Sequence, residues 1–227
     1  MIKLSKIYKS FDKRVVLSDV TLSVSNNEYV CITGESGAGK TTLLNLIGLL
    51  DKPDCGEVSI NDKTHFTPRE ILKMRRNFFG YIFQDYLLMN DKTVQENINI
   101  SKNILKYENG KQDEKDINEI MERVRLDSAY LNKKVYQLSG GEQQKVAIAR
   151  MLLKPYELVL ADEPTGNLDS ATSHDVLGLL KMAAKQFCQT LILITHDRDI
   201  AQLADRIVHI EDGRIVGDTR KGSDVDA

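Results

Sequence analysis

The sequence predicts an α/β fold in which a parallel-sheet core follows an antiparallel β region and is interrupted by a helical insertion. Compact apolar runs at 29–33, 158–161 and 191–195 each lead into polar or glycine-rich sequence, as buried parallel strands do. Clustered or alternating apolar residues at the start of the chain predict further strands. Residues 93–136 are instead rich in Glu, Lys, Asn and Asp, with apolar residues near helical spacing, which indicates helices.

Composition limits the classes of protein that this chain can belong to. Its 227 residues are 41% hydrophobic and 28% charged, which is ordinary for a globular domain, and we expect one domain over 1–227. Lys and Arg number 31 against 33 Asp and Glu, so the formal charge is −2. Domains that bind nucleic acid by bulk electrostatics are usually strongly basic, so we expect no nucleic-acid partner.

Apolar and cysteine patterns exclude two further classes. No run of 18 apolar residues occurs and the N-terminus lacks the apolar core of a signal peptide, so we expect no direct insertion into a membrane. Cys31, Cys55 and Cys188 are scattered and lack Cys-x-x-Cys spacing. They are typical of reduced thiols rather than of a disulfide framework or a zinc site.

The elements of the first third follow in a simple order. Short runs at 15–17 and 20–24 predict strands, and the β-branched run at 29–33 predicts a buried strand. After a glycine-rich turn, residues 41–50 are apolar almost all round, which predicts a buried helix.

The rest of the chain returns to α/β after the insertion. We place a helical subdomain at roughly 86–155 and interpret the charged run 108–115 as a solvated face. Residues 173–185 predict a helix between the last two apolar strands. The pair Asp212-Gly213 within 206–216 predicts a hairpin, because this dipeptide favours a tight primed turn.

Residues 34–41 read GESGAGKT and fit the pattern G-x-x-x-x-G-K-[ST] between a predicted strand and a predicted helix. Glycines let backbone N–H groups surround phosphates, and the following helix presents its N-terminus to the same charge. Lys40 can reach the outer phosphates, and the Thr41 hydroxyl can ligate Mg²⁺. The motif predicts a P-loop NTPase core. The expected nucleotide-contacting residues are Gly34, Glu35, Ser36, Gly37, Ala38, Gly39, Lys40, Thr41 and Thr42.

A second motif is the apolar strand that ends in Asp162 and Glu163. The strand places a carboxylate at the carboxyl edge of the sheet, where open α/β sheets bind ligands. We expect Asp162 to hold Mg²⁺ and Glu163 to act as the general base that polarises the attacking water.

The third motif is LSGGEQQ at 138–144, which opens a predicted helix. Ser139 and Glu142 form a capping box, a common way to begin any helix. A cap does not need Gly140 and Gly141, and these glycines favour close approach of a γ-phosphate. A second anion site in a chain with one nucleotide predicts a head-to-tail dimer, in which each site covers the nucleotide of the other chain.

Along the chain the phosphate loop comes first, the LSGGEQQ motif second and the Asp162-Glu163 strand end third, and in this order they resemble the motifs of the ATP-binding-cassette (ABC) ATPases. The resemblance covers essentially the whole chain. It implies that the ligands are ATP and Mg²⁺. It further implies that Gln84 senses Mg²⁺ and the attacking water, that Asp169 lies in a loop crossing the dimer interface, and that His196 contacts the γ-phosphate and Glu163. The family also stacks adenine on an aromatic residue near the N-terminus. Tyr8 and Phe11 are the candidates, and the spacing to Gly34 favours Phe11.

The sequences at 80–84 and 162–169 are similar to the subgroup that serves lipoprotein release, macrolide export, cell division and peptide transport, with some features like bacteriocin exporters. This similarity implies an ATPase subunit that docks on an integral membrane permease at the cytoplasmic face of the membrane. Leu87 and Leu88 are candidates for the docking site, core packing being the alternative. Soluble ABC proteins of DNA repair or translation usually carry two cassettes or long coiled coils, which are absent here. Signalling through a membrane partner stays open beside export.

Overall fold

The computed structural model describes residues 1–109, 117–154, 156–186 and 189–221. Most of the predicted charged run 108–115 lies outside these ranges, as do Pro155 and Cys188. The strands are β1 (Ile2–Phe11), β2 (Arg14–Val24), β3 (Tyr29–Thr33), β4 (Cys55–Ile60), β5 (Phe79–Ile82), β6 (Leu158–Asp162), β7 (Thr190–Ile194), β8 (Arg206–Glu211) and β9 (Arg214–Arg220). The helices are α1 (Lys40–Ile47), α2 (Pro68–Asn77), α3 (Val94–Asn109), α4 (Ile117–Arg123), α5 (Gly140–Leu152), α6 (Ser170–Gln186) and α7 (Arg198–Ala201).

Two sheets organise the described residues, which confirms the predicted fold class. The first is antiparallel with strand order β2-β1-β4. The second has the order β5-β6-β7-β3-β8-β9, and every neighbouring pair in it is parallel except β8 and β9. Because parallel strands end at a common edge, the segments that follow β3, β5, β6 and β7 emerge on the same side of the molecule.

Alternate residues of the larger sheet bury against different layers. On β3, Val30 and Ile32 pack with α1 and the antiparallel sheet, whereas Tyr29 and Cys31 pack with the helices of the opposite face. A strand buried on both faces reads as a continuous apolar run, which is why the β3 sequence YVCIT lacks alternation. The central sheet is therefore the middle layer of three.

The helical part of the chain comprises α3, α4, two 3₁₀ turns at Ser128–Asn132 and Val135–Gln137, and α5. The fully buried Asn97 of α3 organises the loop before it. Its side chain accepts a hydrogen bond from the Met89 N–H and donates to the carbonyls of Met89 and Thr93. Among the described residues no helix is both long and apolar enough to cross a membrane.

Two helix boundaries differ from the predicted ones, each for a local reason. Helix α1 ends at Ile47 rather than residue 50, because Leu49 adopts a left-handed φ of 55°. The carbonyls of Gly48 and Leu49 instead accept hydrogen bonds from the Tyr81 hydroxyl and the Arg75 guanidinium. Helix α6 begins at Ser170 rather than residue 173.

The predicted hairpin is confirmed. Asp212 and Gly213, at φ 46° and 73°, connect β8 to β9 as a two-residue turn with both φ values positive. The Gly213 carbonyl accepts a hydrogen bond from the Ser18 N–H of β2, at 2.9 Å. The hairpin thus ties the two sheets together beside β3.

Candidate functional site

Three of the predicted site segments meet at one edge of the larger sheet. Strands β6, β7 and β3 are consecutive neighbours there, and each pair is parallel. The glycine-rich loop follows β3, Glu163 follows β6, and His196 lies two residues beyond β7. Adjacency in the sheet brings together residues that are more than a hundred positions apart in the chain.

The loop at 34–41 requires glycine at two positions. Gly34 has φ 148°, and a Cβ there would lie 2.1 Å from the Ile210 carbonyl oxygen. Gly39 has φ 99°, and its Cβ would lie 2.8 Å from the Val16 carbonyl oxygen. Any other residue would therefore displace the loop from β8 and β2. Along the loop, Glu35, Ser36, Gly37 and Thr41 are exposed, Gly34 and Thr42 are half-buried, and Ala38, Gly39 and Lys40 are buried.

Lys40 brings a positive charge back over this loop. It is buried, and its Nζ donates to the carbonyls of Gly34 and Glu35, at 2.8 Å each. Helix α1 begins at Lys40, so its unpaired N-terminal N–H groups face the same concavity. Both features favour an anionic ligand.

Asp162 and Thr41 form an oxygen-rich pair below the loop. Burial raises the pKa of Asp162, and a hydrogen bond from the Thr41 hydroxyl opposes that rise. The negative charge of Glu163 raises the same pKa, whereas the nearby Lys40 charge lowers it. A carboxylate and a hydroxyl fit a hard cation such as Mg²⁺, which takes oxygen ligands and would relieve the cost of the buried charge.

Glu163 occupies a strained backbone position. Its φ is 42°, in the left-handed region, although it is not glycine and precedes Pro164. The backbone is held by hydrogen bonds from the Glu163 N–H to the Ile194 carbonyl and from the Gly166 N–H to the Glu163 carbonyl, each 3.1 Å. Strain of this kind costs about 1–3 kcal/mol and recurs at functional sites.

The predicted catalytic side chains converge around this carboxylate. His196 Nδ1 lies 3.2 Å from Glu163 Oε2. Gly166 lies between Glu163 and Gln84, because a Cβ at residue 166 would be 3.4 Å from both Glu163 Oε2 and Gln84 Nε2. The structure therefore brings Glu163, His196 and Gln84 close together.

The residues of the 138–144 motif are satisfied within their own helical segment. Ser139 Oγ accepts a hydrogen bond from the Glu142 N–H, and Glu142 Oε2 accepts from the Ser139 N–H at 2.8 Å, which confirms the capping box. Glu142 also accepts a hydrogen bond from the Tyr130 hydroxyl. Sequence reasoning assigned both glycines to phosphate approach, but a Cβ at Gly141 would also lie 2.3 Å from Thr172 Cγ2. Packing against α6 is thus a second reason for that glycine.

Asp169 has a role inside its own chain that sequence reasoning missed. Its carboxylate accepts hydrogen bonds from the N–H groups of Ala171 and Thr172 and from the Thr172 hydroxyl, at 2.6 Å for the last. These bonds lower the pKa of Asp169 and start α6 three residues before the predicted boundary.

Both adenine-stacking candidates present an open ring on β1. Phe11 is 48% exposed and Tyr8 is 41% exposed, so either ring is accessible for stacking on adenine. The ammonium group of Lys9 lies 5.0 Å from the centre of the Phe11 ring. Lys9 itself is held by Asp51, with Nζ and Oδ2 3.0 Å apart.

Sequence reasoning also missed Arg150 and a cleft. Arg150 of α5 donates to the backbone carbonyls of Tyr86 and Leu87, and no sequence pattern reveals a carbonyl partner.

The cleft, of about 580 Å³, opens beside the start of the glycine-rich loop. Its lining includes His196 and His209, and His209 Nδ1 lies 3.0 Å from the Thr33 hydroxyl.

The chain is similar to known proteins over most of its length. The model of a family described as ABC transporter matches residues 17–166. An uncharacterized ABC transporter ATP-binding protein, MJ0796 of Methanocaldococcus jannaschii, is 39% identical over 224 residues, which cover 95% of each chain. The lipoprotein-releasing system ATP-binding protein LolD 1 of Rhodopseudomonas palustris is 37% identical over 227 residues, covering 96% of this chain and 99% of the relative.

A third relative is longer. The macrolide export ATP-binding/permease protein MacB of Vibrio parahaemolyticus is 40% identical over 206 residues, which cover 90% of this chain but 31% of the relative. Among solved structures, the dimeric structure of the MJ0796 cassette matches with a TM-score of 0.87 at 37% identity, covering 97% of this chain and 98% of that chain. A dimeric post-hydrolysis state of MJ0796 bound to ADP and Pi matches with a TM-score of 0.86 at 36% identity over the same shares.

Proposed function

The chain belongs to the ABC transporter family, and on that basis we propose that it is the ATP-hydrolysing subunit of a membrane exporter. The observation that carries this proposal is the meeting of the loop 34–41, Asp162, Glu163 and His196 at one sheet edge. It combines a concavity for phosphates with a carboxylate placed to receive a proton.

Binding of ATP uses the loop and the helix behind it. The backbone N–H groups of 34–41 and the N-terminus of α1 surround the phosphates, and Lys40 exchanges its two carbonyl partners for phosphate oxygens. Phe11, the more exposed of the two N-terminal rings, stacks on adenine. Thr41, Asp162 and Gln84 hold Mg²⁺, which supplies charge neutralisation at the phosphates.

Hydrolysis depends on the group around Glu163. The Glu163 carboxylate orients the attacking water and accepts its proton, while His196 donates a hydrogen bond to the γ-phosphate. The 3.2 Å contact between Glu163 and His196 keeps both side chains at the same point. Gln84, across Gly166 from Glu163, is placed to contact the same water.

The active assembly is a head-to-tail dimer. Ser139, Gly140, Gly141 and Glu142 at the start of α5 cover the γ-phosphate of the other protomer, and the loop carrying Asp169 crosses the interface. In support, two similar structures are dimers of the MJ0796 cassette, one of them bound to ADP and Pi. ATP bridging the protomers closes the pair, and its hydrolysis reopens it.

The transport partner is an integral membrane permease made of separate chains. The names of LolD and MacB refer to lipoprotein release and macrolide export, and MacB combines ATP-binding and permease parts. We assign to this chain a substrate of that class, a lipoprotein, peptide or antimicrobial, and a place at the cytoplasmic face of the membrane. Leu87, which is 57% exposed, and Met89 form the docking surface. Leu88 instead packs against the core, so we keep Leu87 and not Leu88 as a candidate docking residue.

Glu163→Gln tests the catalytic cycle. The variant keeps the shape of the side chain but cannot accept a proton, so we expect turnover to fall by about 10²–10⁴-fold. With Mg-ATP it accumulates as a dimer in gel filtration coupled to light scattering, and with ADP it stays monomeric. Glu157 is an exposed glutamate immediately before β6, so Glu157→Gln is the matched control and should behave as the wild type. A monomer at saturating ATP, with bound nucleotide verified, contradicts the proposed cycle.

A further inference from the structure

The chain immediately after Gln84 adopts an unfavourable backbone conformation. Tyr86 and Leu87 both lie in the left-handed region, at φ 58° and 47°, although neither is glycine or asparagine. Two short-range bonds close the turn, from the Tyr86 N–H to the Phe83 carbonyl and from the Leu87 N–H to the Asp85 carbonyl. Consecutive left-handed residues with large side chains persist only where the surroundings hold them.

Arg150 of α5 provides that restraint. Its Nη1 donates to the Leu87 carbonyl at 2.6 Å and its Nη2 donates to the Tyr86 carbonyl at 3.0 Å. Within the described part of the chain, no carboxylate forms an ion pair with this guanidinium. A guanidinium that donates hydrogen bonds to two adjacent carbonyls fixes their relative orientation, which a single donor cannot do.

The same loop touches the other end of α5. A Cβ at Gly140, in the first turn of the helix, would lie 3.1 Å from the Tyr86 hydroxyl oxygen. Gly140 and Arg150 are about 15 Å apart along the axis, at about 1.5 Å per residue. Tyr86 therefore contacts α5 twice: its hydroxyl lies beside the first turn, and its carbonyl is held by the Arg150 side chain, which begins near the last turn.

We propose that Arg150 is a positioning residue that joins the loop 84–88 and α5 into one rigid unit. This inference rests on the proposed function, in which Gln84 faces the nucleotide of its own protomer and Ser139 faces that of the partner. The unit then carries Gln84, the exposed Leu87 and Ser139 together. A displacement of the docking surface moves both nucleotide contacts at once, whereas the phosphate loop 34–41 is not part of the unit.

Two variants separate this role from nucleotide binding. Arg150→Met keeps the apolar stem and removes both donors, and Arg150→Lys keeps the charge but supplies a point donor instead of a fork. Both should bind a fluorescent ADP within about threefold of the wild type and lose at least about tenfold in turnover. In the Glu163→Gln background, dimer formation should need at least about tenfold more ATP.

The matched control is Arg125→Met. Arg125 is an exposed arginine whose guanidinium lies 2.5 Å from the Asp175 carboxylate on α6, so it makes an ion pair instead of binding backbone carbonyls. Its removal should leave turnover and dimer formation at wild-type values. Amide hydrogen exchange gives the structural readout: the Leu87 N–H should exchange at least about tenfold faster in Arg150→Met, while the amides of β6 are unchanged.

A rescue adds a test that loss of folding cannot mimic. Leu87→Gly removes the side-chain penalty of the left-handed conformation, so the double variant Arg150→Met/Leu87→Gly should recover several-fold in basal turnover, measured without a permease.

The inference is overturned if Arg150→Met and the wild type turn over ATP equally fast, or if both need the same ATP concentration to dimerise in the Glu163→Gln background. Dimerisation of Glu163→Gln itself would still support the proposed function. A Glu163→Gln variant that never dimerises counts against the proposed function alone, and the exchange of Leu87 then decides the role of Arg150. Unfolding of both Arg150 variants would show that the residue supports the whole fold, which also overturns the positioning role.

Discussion

Replacing Gly141 by alanine tests how closely α5 approaches α6. The new Cβ would lie 2.3 Å from Thr172 Cγ2, well inside van der Waals contact. The Thr172 side chain cannot simply rotate away, because its hydroxyl donates to Asp169 Oδ2 at 2.6 Å as part of the cap of α6. The helices must therefore separate or the cap must break.

The magnitude follows from two opposing effects. Overpacking a well-filled contact costs about 1–3 kcal/mol. Alanine in place of glycine favours the helix by up to about 1 kcal/mol. We expect a net loss of about 1–2 kcal/mol in the free energy of unfolding, which for a domain of this size lowers Tm by about 2–8 °C.

Thermal unfolding followed by circular dichroism measures the change, and Thr172→Ser supplies the rescue. Serine removes the colliding methyl group and keeps the hydroxyl that binds Asp169, so Gly141→Ala should cost much less in that background. Gly178→Ala on α6 is the control, since nothing lies within 4 Å of its Cβ. That substitution should raise Tm by about 1–4 °C through helix propensity alone.

A Gly141→Ala variant as stable as the wild type would contradict a close contact with Thr172, as would a loss of stability that Thr172→Ser leaves unchanged. ATP turnover then separates packing from ligand approach. If the double variant regains stability but not turnover, Gly141 also serves the nucleotide of the partner protomer. If both return together, packing against Thr172 accounts for the glycine.

Two further predictions concern stability. The side-chain amide of Gln144 is fully buried, and neither of its polar atoms has a hydrogen-bond partner among the described residues, so Gln144→Met should add about 1–2 kcal/mol to the free energy of unfolding in a urea titration. A lower urea midpoint would mean that the amide is bonded. Asp218 pairs with the buried Arg206 through two contacts of 2.5–2.6 Å, which lower the pKa of Asp218 below its ordinary 3.8. Because the folded pKa is the lower one, this stabilisation is complete above the ordinary value and is lost as pH falls through the folded pKa. Asp218→Asn should thus be less stable than the wild type at neutral pH, and the difference should shrink as pH falls from about 5 through the folded pKa of Asp218. A difference that does not change over this range contradicts the assignment.

Much of the fold could be predicted because its signals are local. The β3, β6 and β7 strands are short apolar runs, and the Asp212-Gly213 dipeptide is typical of a tight hairpin turn. The capping box of Ser139 and Glu142 marks the start of α5. Each signal depends on a few consecutive residues. The glycines of the loop 34–41 belong to the same class, since their spacing identified them before their φ values were known.

Helix ends were less predictable because they depend on distant partners. The predicted helix 41–50 stops at Ile47, where Tyr81 and Arg75 from later elements bind the carbonyls that follow. The start of α6 depends on the Asp169 side chain, which sequence reasoning had reserved for the dimer interface. A carboxylate can serve as a cap without losing its exposure.

The core strands β3, β6 and β7, the β8–β9 hairpin, the phosphate loop and the acidic strand end were predictable, because apolar periodicity and glycine spacing are properties of neighbouring residues. The elements β1, β4, α2 and β5 were not predicted. Three contacts come instead from the packing of distant segments: His196 lies 3.2 Å from Glu163, Thr172 leaves no room beside Gly141, and Arg150 binds the loop after Gln84. Each of these contacts joins segments that meet only once the sheet order and the helix packing are set. Two of them involve a backbone carbonyl or a methyl group, which carry no signal in a sequence.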